Sequence, residues 1–245
     1  MRLYLPRFYV RDLAGNLATL ERDVDDAAAQ GADAVLFPEV FLTGYTGKAD
    51  PQQVHAKFAQ LSARCPQLLC IFGSLTEGRS NRTNVYLAGR SIAHYDKVHM
   101  FLPNGEAELW DSGTCYTAFT HGDWRIGLCI CNDLRFPEQA RALKLAHDVN
   151  LLLYPALWPW QRDHVFSALL RARAIENGCF AVGCCVAGVD NGGELFDGAG
   201  NYAWDPLGNP VLPQGRVYTL DASVLEKVTV DTRAQFVDVK DVNML

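Results

Sequence analysis

The chain has 245 residues, 49% of them hydrophobic, and its 28 acidic and 22 basic side chains give a formal net charge of −6. That balance excludes a general nucleic-acid binder, which carries a basic stripe, and the scattered charges leave no charged tail. A chain of this length buries roughly 70% or more of its unfolded surface, and no apolar run approaches the ~20 residues of a membrane span.

The start, Met1-Arg2-Leu3-Tyr4-Leu5-Pro6-Arg7, has charges and a proline where a signal peptide needs an apolar core. The protein is therefore read as cytoplasmic and its eight cysteines as reduced thiols. Leu3 to Val10 reads as a short mixed strand. Asn16 to Gln30 carries Leu17, Leu20, Val24 and Ala27/Ala28 at helical spacing, and Gly31 ends it. Ala34 to Phe37 is a continuous apolar run, as in a strand buried on both faces. Pro51 to Arg64 reads as helix and Leu68 to Gly73 as another buried strand. Thr83 to Leu87 and Ser91 to Tyr95 form a hairpin around Gly89-Arg90. Asn81-Arg82-Thr83 matches a glycosylation sequon, incidental in a protein that is not secreted.

Ala118 to Thr120 and Trp124 to Ile130 read as strands around the turn His121-Gly122-Asp123. Pro137 to Ala146 is a helix and Val149 to Tyr154 a buried strand. Val165 to Asn177 is a helix with an apolar face at Val165, Leu169, Ala172 and Ile175 and a terminator at Gly178. Its far side is also poor in charge, at Phe166 and Ala174. Phe180 to Val186 is a strand, Gly192 to Gly215 a Gly- and Pro-rich stretch of short strands and turns, and the tail from Asp221 a strand plus a helix or arm. No composition shift marks a linker, so residues 1–245 are read as a single α/β domain.

The most informative run is Gly127-Leu128-Cys129-Ile130-Cys131-Asn132-Asp133-Leu134-Arg135-Phe136-Pro137-Glu138. An apolar strand ends at a thiol, and a helix resumes at Pro137 with Glu138 in its first turn. A cysteine at such a turn projects its sulfur from the sheet edge, near backbone N–H groups that stabilise a thiolate or an oxyanion. Cys129, two residues earlier, points to the other sheet face and reads as core. Neither Cys129/Cys131 nor Cys184/Cys185 has zinc-ligand spacing.

This run resembles the nucleophile motif of the nitrilase-like carbon–nitrogen hydrolases, with Asn132 where that family most often has tyrosine. Three further segments resemble the family in order: Ala34 to Tyr45 around Glu39, Tyr95-Asp96-Lys97-Val98-His99-Met100-Phe101 with Gly105-Glu106 after it, and Leu170-Arg171-Ala172-Arg173-Ala174-Ile175-Glu176-Asn177. The resemblance implies a four-layer α-β-β-α sandwich. It implies a homodimer or larger homo-oligomer formed through a helix layer. It implies hydrolysis of a small linear amide to acid and ammonia through a thioester on Cys131. Glu39 is then the base, Lys97 the oxyanion cation with a backbone N–H near Asn132, and Glu106 the group that orients Lys97, the substrate amide or the water. No metal or organic cofactor enters these steps.

The segment Tyr154-Pro155-Ala156-Leu157-Trp158-Pro159 resembles the A-N-W-P stretch of the omega-amidase-like branch, with Leu157 in place of asparagine. It points to a carboxylated omega-amide as substrate. Asn132, Trp158, Phe41 and Tyr45 are the expected substrate-binding residues. Arg135 reads as a structural ion-pair partner, and Arg171, Arg173 and Glu176 as scaffold. The Cys-Asn-Asp form of the motif also occurs in N-carbamoyl amino acid hydrolases, an alternative within the same chemistry. A catalytically silent binding or scaffold protein is the alternative of a different class.

Overall fold

The computed structural model describes residues 1–45, 47–190 and 195–228. Its strands run, in chain order, Arg2–Tyr4 (β1), Tyr9–Val10 (β2), Ala34–Leu36 (β3), Leu69–Glu77 (β4), Ser80–Leu87 (β5), Arg90–Asp96 (β6), Thr117–His121 (β7), Trp124–Leu128 (β8), Leu151–Ala156 (β9), Phe180–Cys185 (β10), Gly188–Asp190 (β11), Leu195–Asp197 (β12), Tyr202–Trp204 (β13) and Val217–Thr219 (β14). The α-helices are Leu13–Ala29 (α1), Pro51–Arg64 (α2), Glu106–Leu109 (α3), Pro137–His147 (α4), Asp163–Asn177 (α5) and Ser223–Lys227 (α6).

Two sheets share one plan. The first has the order β14-β1-β3-β4-β5-β6 and the second β13-β10-β9-β8-β7. In each, three central strands are parallel and the flanking strands antiparallel. The central strands β3, β9 and β10 are buried at every residue, as parallel strands covered on both faces must be. Helices α1 and α2 cover the outside of the first sheet, and α4 and α5 the outside of the second. The result is the expected α-β-β-α sandwich. α2 lays Phe58 flat on Phe72 of β4 at 3.9 Å, and α5 presses so closely on β10 that a Cβ at Gly183 would lie 2.5 Å from Leu170.

Helix ends follow local chemistry. The Asp12 side chain caps α1 by accepting from the Gly15 N–H at 2.8 Å. Asp50 caps α2 in the same way, with Pro51 in the first turn. Gly178, left-handed at φ 57°, ends α5.

Two expectations fail. The stretch Leu3 to Val10 is not one strand: β1 joins the first sheet and β2 pairs with β11 in a small third sheet. Pro6 lies between them and has no N–H to offer a ladder. In α5 the buried face is Phe166, Leu170, Arg173, Ala174 and Asn177. Val165, Leu169 and Ala172 are half-buried and Ile175 is 50% exposed. Both sides are apolar, so periodicity alone did not choose between them. The tail expected from Asp221 is α6 as far as it is described; the rest of that expectation, like residues 192–194 of the Gly-rich stretch, lies outside the described residues. Among the described residues no helix is long and apolar enough to cross a membrane.

Candidate active site

The site gathers beyond the carboxyl ends of β3, β8 and β9, where open parallel sheets place their ligands. Phe37 extends β3 by one ladder bond to Ile71 O at 2.9 Å, and Pro38 then stops the ladder. The chain bends against β4 so tightly that a Cβ on Gly73, at φ +34°, would sit 1.8 Å from Pro38 O. Only glycine fits there. Val40 follows at φ +40°, a strained setting for a β-branched residue, held by Ser74 Oγ accepting its N–H at 3.0 Å.

This bend delivers Glu39 to a fully buried position. Its Oε1 accepts from Asn81 Nδ2 at 2.9 Å and from Lys97 Nζ at 2.8 Å. Its Oε2 accepts from the Leu157 N–H at 2.9 Å. Lys97, just past β6, is equally buried. Its ammonium also contacts both oxygens of Glu106, at 2.9 and 2.8 Å. Glu106, whose own segment enters through Gly105 at φ +69°, further accepts from the Phe101 N–H at 2.8 Å and the Tyr45 hydroxyl at 3.0 Å. Burial alone would push the Lys97 pKa down; Glu39, then Cys131 and Glu106, outweigh it, and the net shift is upward. The lysine is a fixed ammonium between two carboxylates. Burial, and then the charge of Glu39, push Glu106 up, with Lys97 opposing.

Cys131 itself takes φ +44°, a sharp turn that lifts its thiol off the strand. The turn is anchored by Asp133, which is fully buried. Its carboxylate accepts from the Ile130 N–H at 2.8 Å, the Tyr95 hydroxyl at 2.8 Å and the His99 N–H at 3.0 Å. His99 Nδ1 lies 2.8 Å from the same carboxylate. Asp133 thus ties the cysteine turn to the lysine segment. Asn132 adds to the tie, donating its amide to the carbonyls of His99 and Met100 at 3.2 and 3.1 Å. From below, Arg173 of α5 donates to Leu134 O at 2.8 Å and pairs with Glu176 at 3.0 Å.

The Cys131 thiol lies 3.7 Å from Leu157 O and is close enough to Glu39 to feel its charge. Burial, then Glu39, push its pKa well above the ordinary thiol value, with Lys97 pulling the other way. At rest it is a thiol. Cys129 is fully buried in the core, as expected.

Cys131 opens into a cavity of about 160 Å³ that is also walled by Tyr45, Phe101, Asn132, Arg135, Trp158 and Arg162. That suits a ligand smaller than the ~300 Å³ at the low end of drug-sized sites. A larger cavity, about 700 Å³ between Arg7, Tyr202 and Arg216, contains none of the clustered ionisable groups around Cys131. The smaller cavity, which Cys131 lines, is the candidate site. Among the described residues no group of three or more His, Cys, Asp or Glu side chains could hold a metal ion.

Of the expected substrate-binding residues, Tyr45, Asn132 and Trp158 line the cavity and Phe41 does not. Phe41 is fully buried between Phe37, at 5.1 Å, and Phe8, at 5.2 Å; the left-handed turn at Val40 sends it back into the core. Arg135 is also corrected. Among the described residues it pairs with no carboxylate; its guanidinium lies over the Trp158 ring at 4.5 Å, on the cavity wall. Two participants escaped the sequence reading. Asn81, noted only for its sequon, holds Glu39. Arg162, four residues beyond Trp158, stands in the cavity wall; a cation so close to a suspected pocket tryptophan was the available signal.

The carbon–nitrogen hydrolase family profile matches residues 4–223. The chain belongs to that family. It is 31% identical over 194 residues, 76% of this chain and 74% of the relative, to the omega-amidase YafV of Escherichia coli (strain K12). It is 34% identical over 197 residues, 70% of this chain and 71% of the relative, to the deaminated glutathione amidase of Synechocystis sp. (strain PCC 6803 / GT-S). Its fold is similar to that of a superfamily protein from Xanthomonas campestris that carries an arsenic adduct in its active site. There the TM-score is 0.80, with 29% identity over 96% of this chain and 94% of that one. Saccharomyces cerevisiae Nit3, at 22% identity and TM-score 0.82, covering 96% of this chain and 97% of that one, shares the fold. The chain is thus a hydrolase of carbon–nitrogen bonds.

Proposed function

We propose that this amidase uses Cys131 to release ammonia from the terminal amide of a small carboxylated substrate through a thioester. The observation that carries the reading is the buried Lys97 ammonium clasped by Glu39 and Glu106 beside the Cys131 thiol that lines the cavity. The names of the relatives, an omega-amidase and a deaminated glutathione amidase, support amide hydrolysis.

Glu39 takes the Cys131 proton as sulfur bonds to the amide carbonyl carbon. The carbonyl oxygen becomes an oxyanion, met by the Lys97 ammonium and a backbone N–H near Asn132. Collapse breaks the carbon–nitrogen bond, and the proton held by Glu39 goes to the departing nitrogen, leaving ammonia and a thioester. Water then gives its proton to Glu39 and its hydroxide equivalent to the thioester carbon. The acid departs and Cys131 recovers its proton. Glu106 orients Lys97 and is itself held by Tyr45. Trp158 walls the pocket, and Arg135 meets the substrate carboxylate. All these residues lie in a single carbon–nitrogen hydrolase domain, which pairs with a second copy through the half-exposed face of α5.

Cys131→Ala is expected to remain folded and lose turnover. Mass spectrometry of the wild type with a slow amide is expected to find the acyl group on the Cys131 peptide; an adduct on Cys129 instead refutes the assignment. An ammonia-release screen over omega-amides, N-carbamoyl amino acids and nitriles identifies the substrate. Faster release from an N-carbamoyl amino acid promotes that alternative.

A further inference from the structure

Two guanidinium groups share a small cavity that no carboxylate lines among the described residues. Arg135 and Arg162 both line the wall, along with Cys131 and Trp158. The two are held by the same side chain. Arg135 stacks on the face of the Trp158 indole at 4.5 Å, and the Trp158 ring N–H donates to the backbone carbonyl of Arg162 at 2.9 Å. The Arg162 guanidinium in turn lies over the Phe101 ring at 5.4 Å. Each cation therefore rests on an aromatic face, which leaves its planar edge of N–H donors free for an anion. Neither has a carboxylate partner among the described residues. Burial, and then the charge of Arg162, hold the Arg135 pKa below its ordinary value. The cavity keeps two like charges close enough to repel.

Resting on the amidase reading above, we infer that Arg162 is a specificity-determining residue: with Arg135 it forms a two-cation clamp, set by Trp158, that selects amides bearing a carboxylate at the end remote from Cys131. A carboxylate between the two arginines relieves their repulsion and accepts from both. A neutral amide of the same length leaves the repulsion in place. Selection therefore comes from the repulsive arrangement as well as from the attraction.

The test compares succinamate with butyramide, an amide of similar length without the charge, by ammonia release from the full chain. The wild type is expected to favour succinamate in kcat/KM. Arg162→Gln is expected to lower the succinamate-to-butyramide ratio roughly 10- to 100-fold, the usual range for a lost hydrogen bond to a charged group, through the KM for succinamate rather than kcat. Arg162→Lys, which keeps the charge without the fork, is expected to fall between the two. If Arg162→Gln is unfolded by circular dichroism, Arg162→Lys decides: a loss confined to succinamate supports the clamp, and an equal loss on both substrates, or none, overturns it. A wild type that favours succinamate while Arg162→Gln keeps the ratio overturns the clamp alone. A wild type indifferent to the carboxylate overturns the carboxylated-substrate reading and the clamp with it.

Discussion

Replacing Glu39 with glutamine separates the proton-transfer role of that side chain from its packing role. The volumes are nearly equal, but the hydrogen bonds are not. Three donors point at the Glu39 carboxylate: Asn81 Nδ2 and Lys97 Nζ on one oxygen, and the Leu157 N–H on the other. Glutamine offers one oxygen and one NH₂, so one side must set donor against donor. A buried donor left unpaired costs roughly 1–3 kcal/mol. Lys97 also loses one of its two counter-charges; breaking a buried pair costs roughly 3–5 kcal/mol, and the retained Glu106 places this case at the low end. Against a total stability of roughly 5–15 kcal/mol, the variant is weakened and still folds. Activity falls further, because glutamine neither takes the thiol proton nor returns one: roughly 10²–10⁴-fold in kcat/KM, with the upper end expected since one carboxylate serves both steps. The thiol moves the other way. Glu39 is second only to burial in raising the Cys131 pKa, and Lys97 lowers it. Removing the carboxylate therefore makes the thiol more acidic, and iodoacetamide alkylates Cys131 faster at a fixed pH while turnover is lost. Kinetics of ammonia release, urea unfolding and alkylation rate against pH check the three parts. Retention of more than about a tenth of wild-type kcat/KM refutes the assignment of Glu39 as base, and alkylation of Cys131 that slows refutes the argument that the Glu39 charge holds the thiol pKa up.

Gly73→Ala drives a Cβ into Pro38 O, 1.8 Å away, and is expected to abolish activity by displacing Glu39 although residue 73 touches no substrate; full activity in ammonia release rules this out. The buried thiols of Cys70, Cys179 and Cys185 are each pushed up from 9.0 to about 12 by burial. Unfolded thiols ionise first, so the stability these groups confer is complete below pH 9 and is lost as pH rises toward 12, by about 1.4 kcal/mol per pH unit for each thiol; urea midpoints from pH 8 to 11 are expected to fall, and a flat profile contradicts the burial. Sedimentation at micromolar concentration is expected to find a dimer or larger species, and substitution of the 50% exposed Ile175 by glutamate to dissociate it.

Two of the candidate reacting groups sit at the ends of apolar strands, where a buried charge is costly and needs a reason, whereas Lys97 follows the mixed edge strand β6 and was legible only through the family resemblance. Glu39 after Phe37-Pro38 and Cys131 after Ile130 are such residues, and the order of the family segments around them is what singled them out. The layers were legible because β3, β9 and β10 are uninterrupted apolar runs between helices with clear caps. What escaped depends on geometry that spacing does not carry. Phe41 lies two residues from Glu39, yet the left-handed turn at Val40 sends it to the core. The face of α5 was misjudged because a helix apolar on both sides gives no phase. Arg135 was taken for an ion-pair partner because its aromatic support, Trp158, is 23 residues away in sequence.

The buried amide of Asn81 has a practical consequence for producing the protein. Asn81-Arg82-Thr83 is an acceptor sequence for N-linked sugar, and Asn81 is fully enclosed with its side chain bonded to Glu39. Once folded, the chain presents nothing there for a transferase to reach. A eukaryotic secretory host attaches its oligosaccharide to the emerging, unfolded polypeptide, before that enclosure exists. A glycan fixed to Asn81 has no room beside Glu39 and takes away the nitrogen that steadies it. Material made by secretion from such a host would carry a sugar where the carboxylate needs a donor, whereas an Asn81-preserving Thr83→Val change would remove the acceptor sequence and leave the amide in place.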